Sequence, residues 1–164
     1  MSDGRMQERL YRPNVGIMLI NRDGLVWVGQ RLDAPDPANA AWQMPQGGVD
    51  KGEDPEVAAF RELREETGAR KEHVTLIART SDWLRYDFPD HIRKKVGKGK
   101  YHGQKQLWYL MRFDGSDEDF DLDYHHREFS DWRWADIDDL VPQIVAFKRD
   151  VYVEVVRQFR EHLA

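Results

Sequence analysis

The chain contains no cysteine among its 164 residues. This absence excludes disulfide bonds and any zinc site built from thiolates, and it suits a reducing compartment. The sequence also lacks an apolar run long enough to span a membrane, and residues 1–14 lack the apolar core of a secretory signal. We therefore expect a cytoplasmic protein with no membrane partner.

Positive charge is scarce as well. Lysine and arginine together number 25 against 30 acidic residues, which gives a formal net charge of −5. This balance argues against a broad basic face that coats DNA or a membrane surface, so an anionic substrate must be met by local cations. The chain shows no internal repeat and no long linker, and its length suits one domain over residues 1–164, which we expect to be a monomer.

Strand and helix patterns are mixed along the chain. Residues 14–20 and 25–30 are rich in β-branched and aromatic side chains and flank a turn, so they predict a hairpin. Further strands are predicted over residues 74–79, 106–113 and 132–134. Val151, Val155, Phe159 and Leu163 recur every four residues and predict a closing amphipathic helix. The pattern is that of an α+β fold.

A second helix is predicted over residues 55–67. Asp54 suits its N-cap, Pro55 its first turn and Gly68 its C-terminal stop. Helical spacing puts the apolar residues Val57, Phe60 and Leu63 on the side that packs. The opposite face must then be acidic.

Three carboxylates share that acidic face, namely Glu62, Glu65 and Glu66. Gly47 and Gly48 lie just upstream, where they allow a ligand to approach the main chain closely. A glycine-rich loop before clustered carboxylates suits hard divalent cations that bridge protein and phosphate oxygens. The alternative is a solvated charged face, neutralised in part by nearby arginines.

The same residues resemble the Nudix box. Gly47 is followed after five residues by Glu53 and after seven more by Arg-Glu-Leu-Arg-Glu-Glu-Thr-Gly at residues 61–68. Ala69 departs from the pattern, since a larger aliphatic residue usually stands there. The resemblance implies a Nudix fold, in which a mixed β-sheet is sandwiched between α-helices and the box forms a loop-helix-loop.

The resemblance extends over most of the chain. The stretches that carry it look like those of bacterial RNA pyrophosphohydrolases and related dinucleoside polyphosphate hydrolases, and they cover residues 11–16, 42–48, 103–106, 132–134 and 147–152. This branch implies a metal-dependent pyrophosphohydrolase that acts on 5′-triphosphorylated RNA ends, on dinucleoside polyphosphates such as diadenosine tetraphosphate, or on both.

The resemblance also implies roles for the acidic residues. Glu62, Glu65, Glu66 and Glu128 would hold Mg²⁺, with Mn²⁺ or Zn²⁺ as substitutes. Glu62 is the first choice for the general base, and Glu66 and Glu128 remain alternatives. Four residues would instead be structural parts of the box: Gly47, Glu53, Arg61 and Gly68, with Glu53 paired to Arg61.

Substrate-binding positions follow from the same resemblance. They are polar or aromatic residues that would surround a polyphosphate and a base: Arg12, Arg31, Tyr86, Gln104, Lys105, Phe147 and Lys148. For Tyr86 and Phe147 the alternative is ordinary packing. The strand-like stretches also contain tryptophans that we expect in the core, namely Trp27, Trp42, Trp132 and Trp134.

Two charged segments have no assigned role. Residues 93–100 form a basic, glycine-containing loop that is either near the substrate entrance or simply solvated. Residues 114–123 are acidic, but their spacing does not follow the EF-hand pattern, so we expect a solvated turn.

The alternatives to this function are a nucleoside triphosphate or ADP-ribose hydrolase of the same family, and a non-catalytic module that binds nucleotides or RNA ends. The presence of all four metal carboxylates favours an enzyme.

Overall fold

The computed structural model describes residues 10–33, 41–95 and 99–163. Eight strands in these ranges form a single sheet. They are β1 (Tyr11–Ile20), β2 (Val26–Arg31), β3 (Trp42–Gln43), β4 (Gln46–Gly48), β5 (Val74–Arg79), β6 (Leu84–Asp87), β7 (Gly103–Phe113) and β8 (Phe129–Ala135).

Within the same ranges, two long helices and two short ones accompany the sheet. They are α1 (Pro55–Thr67), α2 (Asp90–Arg93), α3 (Leu140–Gln143) and α4 (Arg149–Phe159). A 3₁₀ turn over Arg160–Leu163 follows α4.

The centre of the sheet is a parallel pair, β1 beside β7, in register from Tyr11↔Gly103 to Ile20↔Arg112. The order across the sheet is β3-β2-β1-β7-β5, with β4 also on β1, β6 on β7 and β8 on β2. The predicted hairpin is confirmed only at its turn, because β1 and β2 pair at Ile20↔Val26 and then diverge to other partners.

The alternation of β1 divides the core into two layers. Val15, Ile17 and Leu19 pack with α1, whereas Met18 and Ile20 pack on the other face with α4. Alternate residues of a strand point to opposite faces, so this single strand supplies both layers. The sheet therefore lies between helices, as the family resemblance implied.

The predicted strand over residues 74–79 is confirmed, and the strand predicted over residues 25–30 is shifted by one residue to Val26–Arg31. The other predicted strands extend beyond their expected ends. Helix α1 has the predicted bounds, but one part of its pattern is wrong. Val57 is 58% exposed, and the buried side consists instead of Ala58, Ala59 and Leu63. No helix in the described ranges is long and apolar enough to cross a membrane.

Candidate active site

Helix α1 is fixed at both ends by the residues that predicted it. The Asp54 carboxylate accepts a hydrogen bond from the backbone N–H of Glu56, which satisfies a free donor of the first turn. Gly68 ends the helix with φ at 80°, a left-handed conformation that glycine adopts without steric cost. These caps fix where the helix begins and ends, and therefore where its acidic side chains lie relative to the sheet.

Arg61 ties the box loop to this helix. Its guanidinium forms two 2.8 Å hydrogen bonds to the Glu53 carboxylate and donates to the Gly48 carbonyl at 2.9 Å. The bond from Arg61 lowers the pKa of Glu53 to about 2. The predicted structural pairing is thus present, and its bidentate geometry holds the loop against α1.

Gly47 is required because a carboxylate occupies the space where a side chain would lie. A Cβ atom at residue 47 would be 1.9 Å from the Cδ atom of Glu62. Glu62 therefore lies directly on the glycine backbone of β4. Any larger residue at position 47 would push this carboxyl group away.

Two carboxylates of α1, those of Glu62 and Glu66, are destabilised in their charged form. Burial raises the pKa of Glu62 to about 7 against the opposing effect of Arg61, and Glu65 and Glu128 raise it further. Burial, Glu128 and Glu62 also raise the pKa of Glu66 well above its ordinary value. Glu66 is 6% exposed, and one of its oxygens accepts the Gln46 backbone N–H at 3.3 Å.

This donor set fits a divalent cation. Carboxylate oxygens are preferred ligands of Mg²⁺, and a cation would relieve the mutual repulsion of Glu62, Glu66 and Glu128. Within the described residues, however, no group of three or more acidic or histidine side chains is assembled for metal binding. Arg61 explains why these carboxylates are not gathered around one point. Its Nη1 atom lies 2.9 Å from Glu62 Oε1 and 3.3 Å from Glu65 Oε2, so it holds both groups.

A cavity of about 1100 Å³ opens on the α4 face of the sheet. Five of the seven predicted substrate-binding residues line it, namely Arg31, Tyr86, Gln104, Phe147 and Lys148. Among the described residues, its lining contains five basic side chains and a single acidic one: Arg31, Lys95, Arg133, Lys148 and Arg149, with Asp33. The local positive charge that the acidic chain needs for an anionic substrate is therefore present here.

The cations of this cavity are electrostatically coupled to the carboxylates of α1. Lys148 is buried, and burial followed by repulsion from Arg31 lowers its pKa to about 8, while Glu66 acts in the opposite direction. Arg31 likewise acts to lower the raised pKa of Glu66. Arg31 is itself held by Asp33 through two 2.8 Å hydrogen bonds. Acidic site and basic cavity are thus neighbours.

Arg12 and Lys105 do not line this cavity. Arg12 approaches Gly48, since a Cβ atom at that glycine would be 2.9 Å from the Arg12 Nη2 atom. Lys105 points to the opposite face of β7 from Gln104, and its Nζ atom lies 4.9 Å from the centre of the Trp83 ring. Substrate contacts by these two residues stay predictions.

A buried amide network fixes the wall of the cavity. The Trp108 indole, which can only donate, donates to Gln106 Oε1 at 2.9 Å. Gln106 must therefore direct its Nε2 toward acceptors, and it contacts Asn14 at 2.8 Å and Gln46 at 3.3 Å. The Gln46 oxygen also accepts from Lys148 Nζ at 3.4 Å. The tryptophan thus sets the direction of the bonds that hold Lys148.

The aromatic residues of the cavity pack on one another. The centre of the Tyr86 ring lies 5.8 Å from that of Phe88 and 5.6 Å from that of Phe147. The Tyr86 hydroxyl donates a hydrogen bond to Gln104 Oε1. Tyr86 is buried and Phe147 half-buried. Both rings therefore make ordinary packing contacts at the cavity wall, and base stacking stays a prediction.

The expectation for the tryptophans is confirmed for Trp27, which is fully buried. Trp132 and Trp134 are half-buried and pack against the α1 layer. For Trp42 the core prediction is incomplete, because this residue also lines the cavity. Nothing in the strand-like pattern around Trp42 distinguished a core position from a cavity wall.

The two charged segments have different outcomes. Residues 96–98 of the basic loop lie outside the described residues, while its Lys95 lines the cavity and its Arg93 contacts His102 at 2.8 Å. The acidic segment contains a short 3₁₀ turn, Asp117–Asp119, capped by Ser116 and mostly exposed. The predicted solvated turn is confirmed.

A capped acidic helix, a loop tied to it by Arg61 and Glu53, and a sheet between helices define the family. The NUDIX domain pattern matches residues 10–155. The chain belongs to the NUDIX family and is a hydrolase of that family.

Individual proteins similar to this chain include RNA pyrophosphohydrolases and a hydrolase of known structure. The chain is 56% identical over 153 residues to an RNA pyrophosphohydrolase of Roseobacter denitrificans, with 93% of this chain and 94% of the relative covered. It is 54% identical over 154 residues to an RNA pyrophosphohydrolase of Cereibacter sphaeroides, with coverages of 94% and 93%. A solved structure of an Ap4A hydrolase of C. elegans matches the fold with a TM-score of 0.65 at 21% identity, covering 92% of this chain and 98% of that one.

Proposed function

We propose that this chain is a divalent-metal-dependent pyrophosphohydrolase that cleaves a phosphoanhydride bond in 5′-triphosphorylated RNA ends, in dinucleoside polyphosphates, or in both. The observation that carries the proposal is the junction between the α1 carboxylates and the basic cavity, where Glu66 is coupled to Lys148 and Arg31. A polyphosphate needs cations along its length and a site for hydrolysis at one bond. Both requirements would be met at this junction.

Four carboxylates would hold the cation: Glu62, Glu65, Glu66 and Glu128. When bound, a divalent cation polarises the phosphoryl group and makes water a better nucleophile. We propose Mg²⁺, with Mn²⁺ or Zn²⁺ as substitutes, since hard oxygen ligands suit it. Arg61 would keep the box loop in place while Glu62 and Glu65 exchange its hydrogen bonds for the cation.

Glu62 is the proposed general base. The carboxyl group of Glu62 lies directly against the Gly47 backbone, and in the metal-free fold burial raises its pKa to about 7. A bound cation would lower this pKa, so that the group is charged and able to accept a proton. Its carboxyl group would take the proton of the attacking water. Glu66 and Glu128 are the alternatives, because both lie close enough to influence Glu62 or each other.

The cavity would hold the substrate beside these carboxylates. Arg31 and Lys148 would bind the phosphates, and Gln104 would donate or accept a hydrogen bond at the base. Phe147 offers a ring at the cavity wall, with Tyr86 packed behind it. The names of the relatives favour RNA ends as substrate, and the Ap4A hydrolase favours dinucleoside polyphosphates. We also propose that the protein is cytoplasmic, which the lack of cysteine suits, and that it is monomeric.

A substrate panel tests this proposal. We expect the highest kcat/KM, with Mg²⁺ present, for triphosphorylated RNA or diadenosine tetraphosphate, because the cavity can hold bases as well as a phosphate chain. ADP-ribose and free nucleoside triphosphates, at equal concentrations, should be poorer substrates. A preference for either of these would support the alternative hydrolases, and binding without turnover of any compound would identify a binding module.

The dependence of stability on pH and metal gives a second prediction. The pKa values of Glu62 and Glu66 are raised on folding, so their stabilising contribution is present at low pH and is lost as the pH rises. For Glu62 this loss runs from the unfolded pKa of about 4.5 through the folded pKa of about 7. A cation binds the charged form and removes this loss. The increase in Tm caused by Mg²⁺ should therefore grow between pH 5 and pH 8.

Thermal unfolding with Mg²⁺ and with excess chelator measures this effect. The Glu62→Gln/Glu66→Gln double variant is the control, and its Tm should show little difference between the two conditions at either pH. A Mg²⁺ effect of equal size at pH 5 and pH 8 in the unmodified chain contradicts the prediction.

A further inference from the structure

The cavity contains a second planar surface, apart from Tyr86 and Phe147. The Arg133 guanidinium lies over the Trp42 ring, with its Cζ atom 4.2 Å from the ring centre. The Arg133 Nη2 atom also donates to Gln143 Oε1 at 2.7 Å. We call Trp42, Arg133 and Gln143 the Arg133 platform.

The strand pairing explains why these residues meet. Arg133 pairs with Val28, whose side chain is buried on the α4 face of the sheet, so Arg133 lies on that face too. Trp42 lies on β3, which pairs with the other edge of β2 and packs on the same layer. Gln143 ends α3 beside them. Residues of three separate elements thus hold one exposed guanidinium over the Trp42 ring.

We propose that the Arg133 platform is a second nucleobase subsite, which takes a base downstream of the one held near Phe147. All three platform residues line the same cavity as Phe147 and Lys148. A guanidinium plane stacks well on aromatic faces, and one side of Arg133 is already used by Trp42. Arg133 is exposed and lines the cavity, so a base could lie on its other side. Its contacts with Trp42 and Gln143 already order the side chain in the free protein.

Size and charge favour a nucleotide as the occupant. The cavity volume of about 1100 Å³ lies above the usual range for one drug-sized ligand, about 300–1,000 Å³. Its basic side chains match the phosphates that link successive bases. A purely structural role, in which Arg133 shields Trp42 from water, needs no ligand and predicts no dependence on RNA length.

The inference rests on the proposed function, and binding experiments separate the two. Ligands with methylene bridges in the 5′ triphosphate bind without being cleaved, as a mononucleotide and as a tetranucleotide. For each variant we compare the ratio of tetranucleotide affinity to mononucleotide affinity. Arg133→Ala removes the plane and charge, Arg133→Lys keeps the charge, and Arg157→Ala removes an equal charge from an exposed side chain outside the cavity.

We expect the unmodified chain to bind the tetranucleotide more tightly than the mononucleotide. Both Arg133 variants should reduce this ratio by about fivefold or more, the range for loss of one base stack, and Arg157→Ala should not change it. Three results would overturn the subsite. The unmodified chain could bind both ligands equally well, the affinity ratio could be unchanged in Arg133→Ala, or Arg133→Lys could keep the full ratio. In parallel we measure turnover of ordinary 5′-triphosphorylated RNA, which has no methylene bridges, by the unmodified chain. An absence of turnover counts against the proposed function alone.

Discussion

Replacing Glu66 by Gln should reduce kcat by about 10²- to 10⁴-fold while the protein remains folded. The amide keeps the shape of the side chain but removes a buried negative charge that the proposed cation and proton transfer require. Since the pKa of Glu66 is raised by burial and by Glu128 and Glu62, the charge is unfavourable in the metal-free fold. The metal-free Tm of Glu66→Gln at pH 8 should therefore equal or exceed that of the unmodified chain.

Glu56→Gln is the matched control. Glu56 lies in the first turn of the same helix and is exposed, so its amide should leave kcat unchanged. Steady-state kinetics with Mg²⁺ and thermal unfolding in chelator are the measurements. If Glu66→Gln retains kcat within a few-fold, the assignment of Glu66 to the site is wrong.

Replacing Gly47 by Ala should also cause a large loss, through displacement of a carboxylate. The new Cβ atom would lie 1.9 Å from the Cδ atom of Glu62, so the Glu62 side chain must move. A flexible side chain can move at small cost to the fold, but a catalytic group displaced by about 1 Å loses about 100-fold in rate. We expect kcat to fall by this order, with a much smaller change in Tm.

Gly24→Ala is the control, and it should lower Tm without lowering kcat. Gly24 has φ at 75° in the turn between β1 and β2, away from the cavity and α1. Alanine is strained there, so Tm should fall while kcat stays the same. Comparable kcat values for Gly47→Ala and the unmodified chain would show that Glu62 does not act from its position against Gly47.

The sequence predicted the acidic helix well because its determinants are local. Asp54, Pro55 and Gly68 define the ends of α1 through capping and backbone geometry, which depend on neighbouring residues only. The pairing of Glu53 with Arg61 came from the family resemblance and is present in the structure. By contrast, Val57 was placed on the buried side from its apolar character and helical spacing, but it is exposed, and Ala58 and Ala59 are buried instead.

The cavity was harder to predict because it is built from distant elements. Strands β3 and β4 contain only two and three residues, too few for a period-2 pattern to be recognised. Lys105 and Gln104 are adjacent in sequence, but the alternation of β7 sends them to opposite faces. Trp42 and Arg133 are 91 positions apart by their numbers, and only the pairing of β3 and β8 with β2 brings them together.

The most direct test of the proposed chemistry is the fate of a 5′-triphosphorylated RNA incubated with the purified chain and Mg²⁺. Analysis of the 5′ end should show conversion to 5′-monophosphorylated RNA over many turnovers, and excess chelator or Glu66→Gln should stop it. A 5′ end that stays triphosphorylated while diadenosine tetraphosphate is cleaved would restrict the function to dinucleoside polyphosphates. Conversion that continues in excess chelator, or no cleavage of either compound, would contradict the metal-dependent pyrophosphohydrolase proposed here.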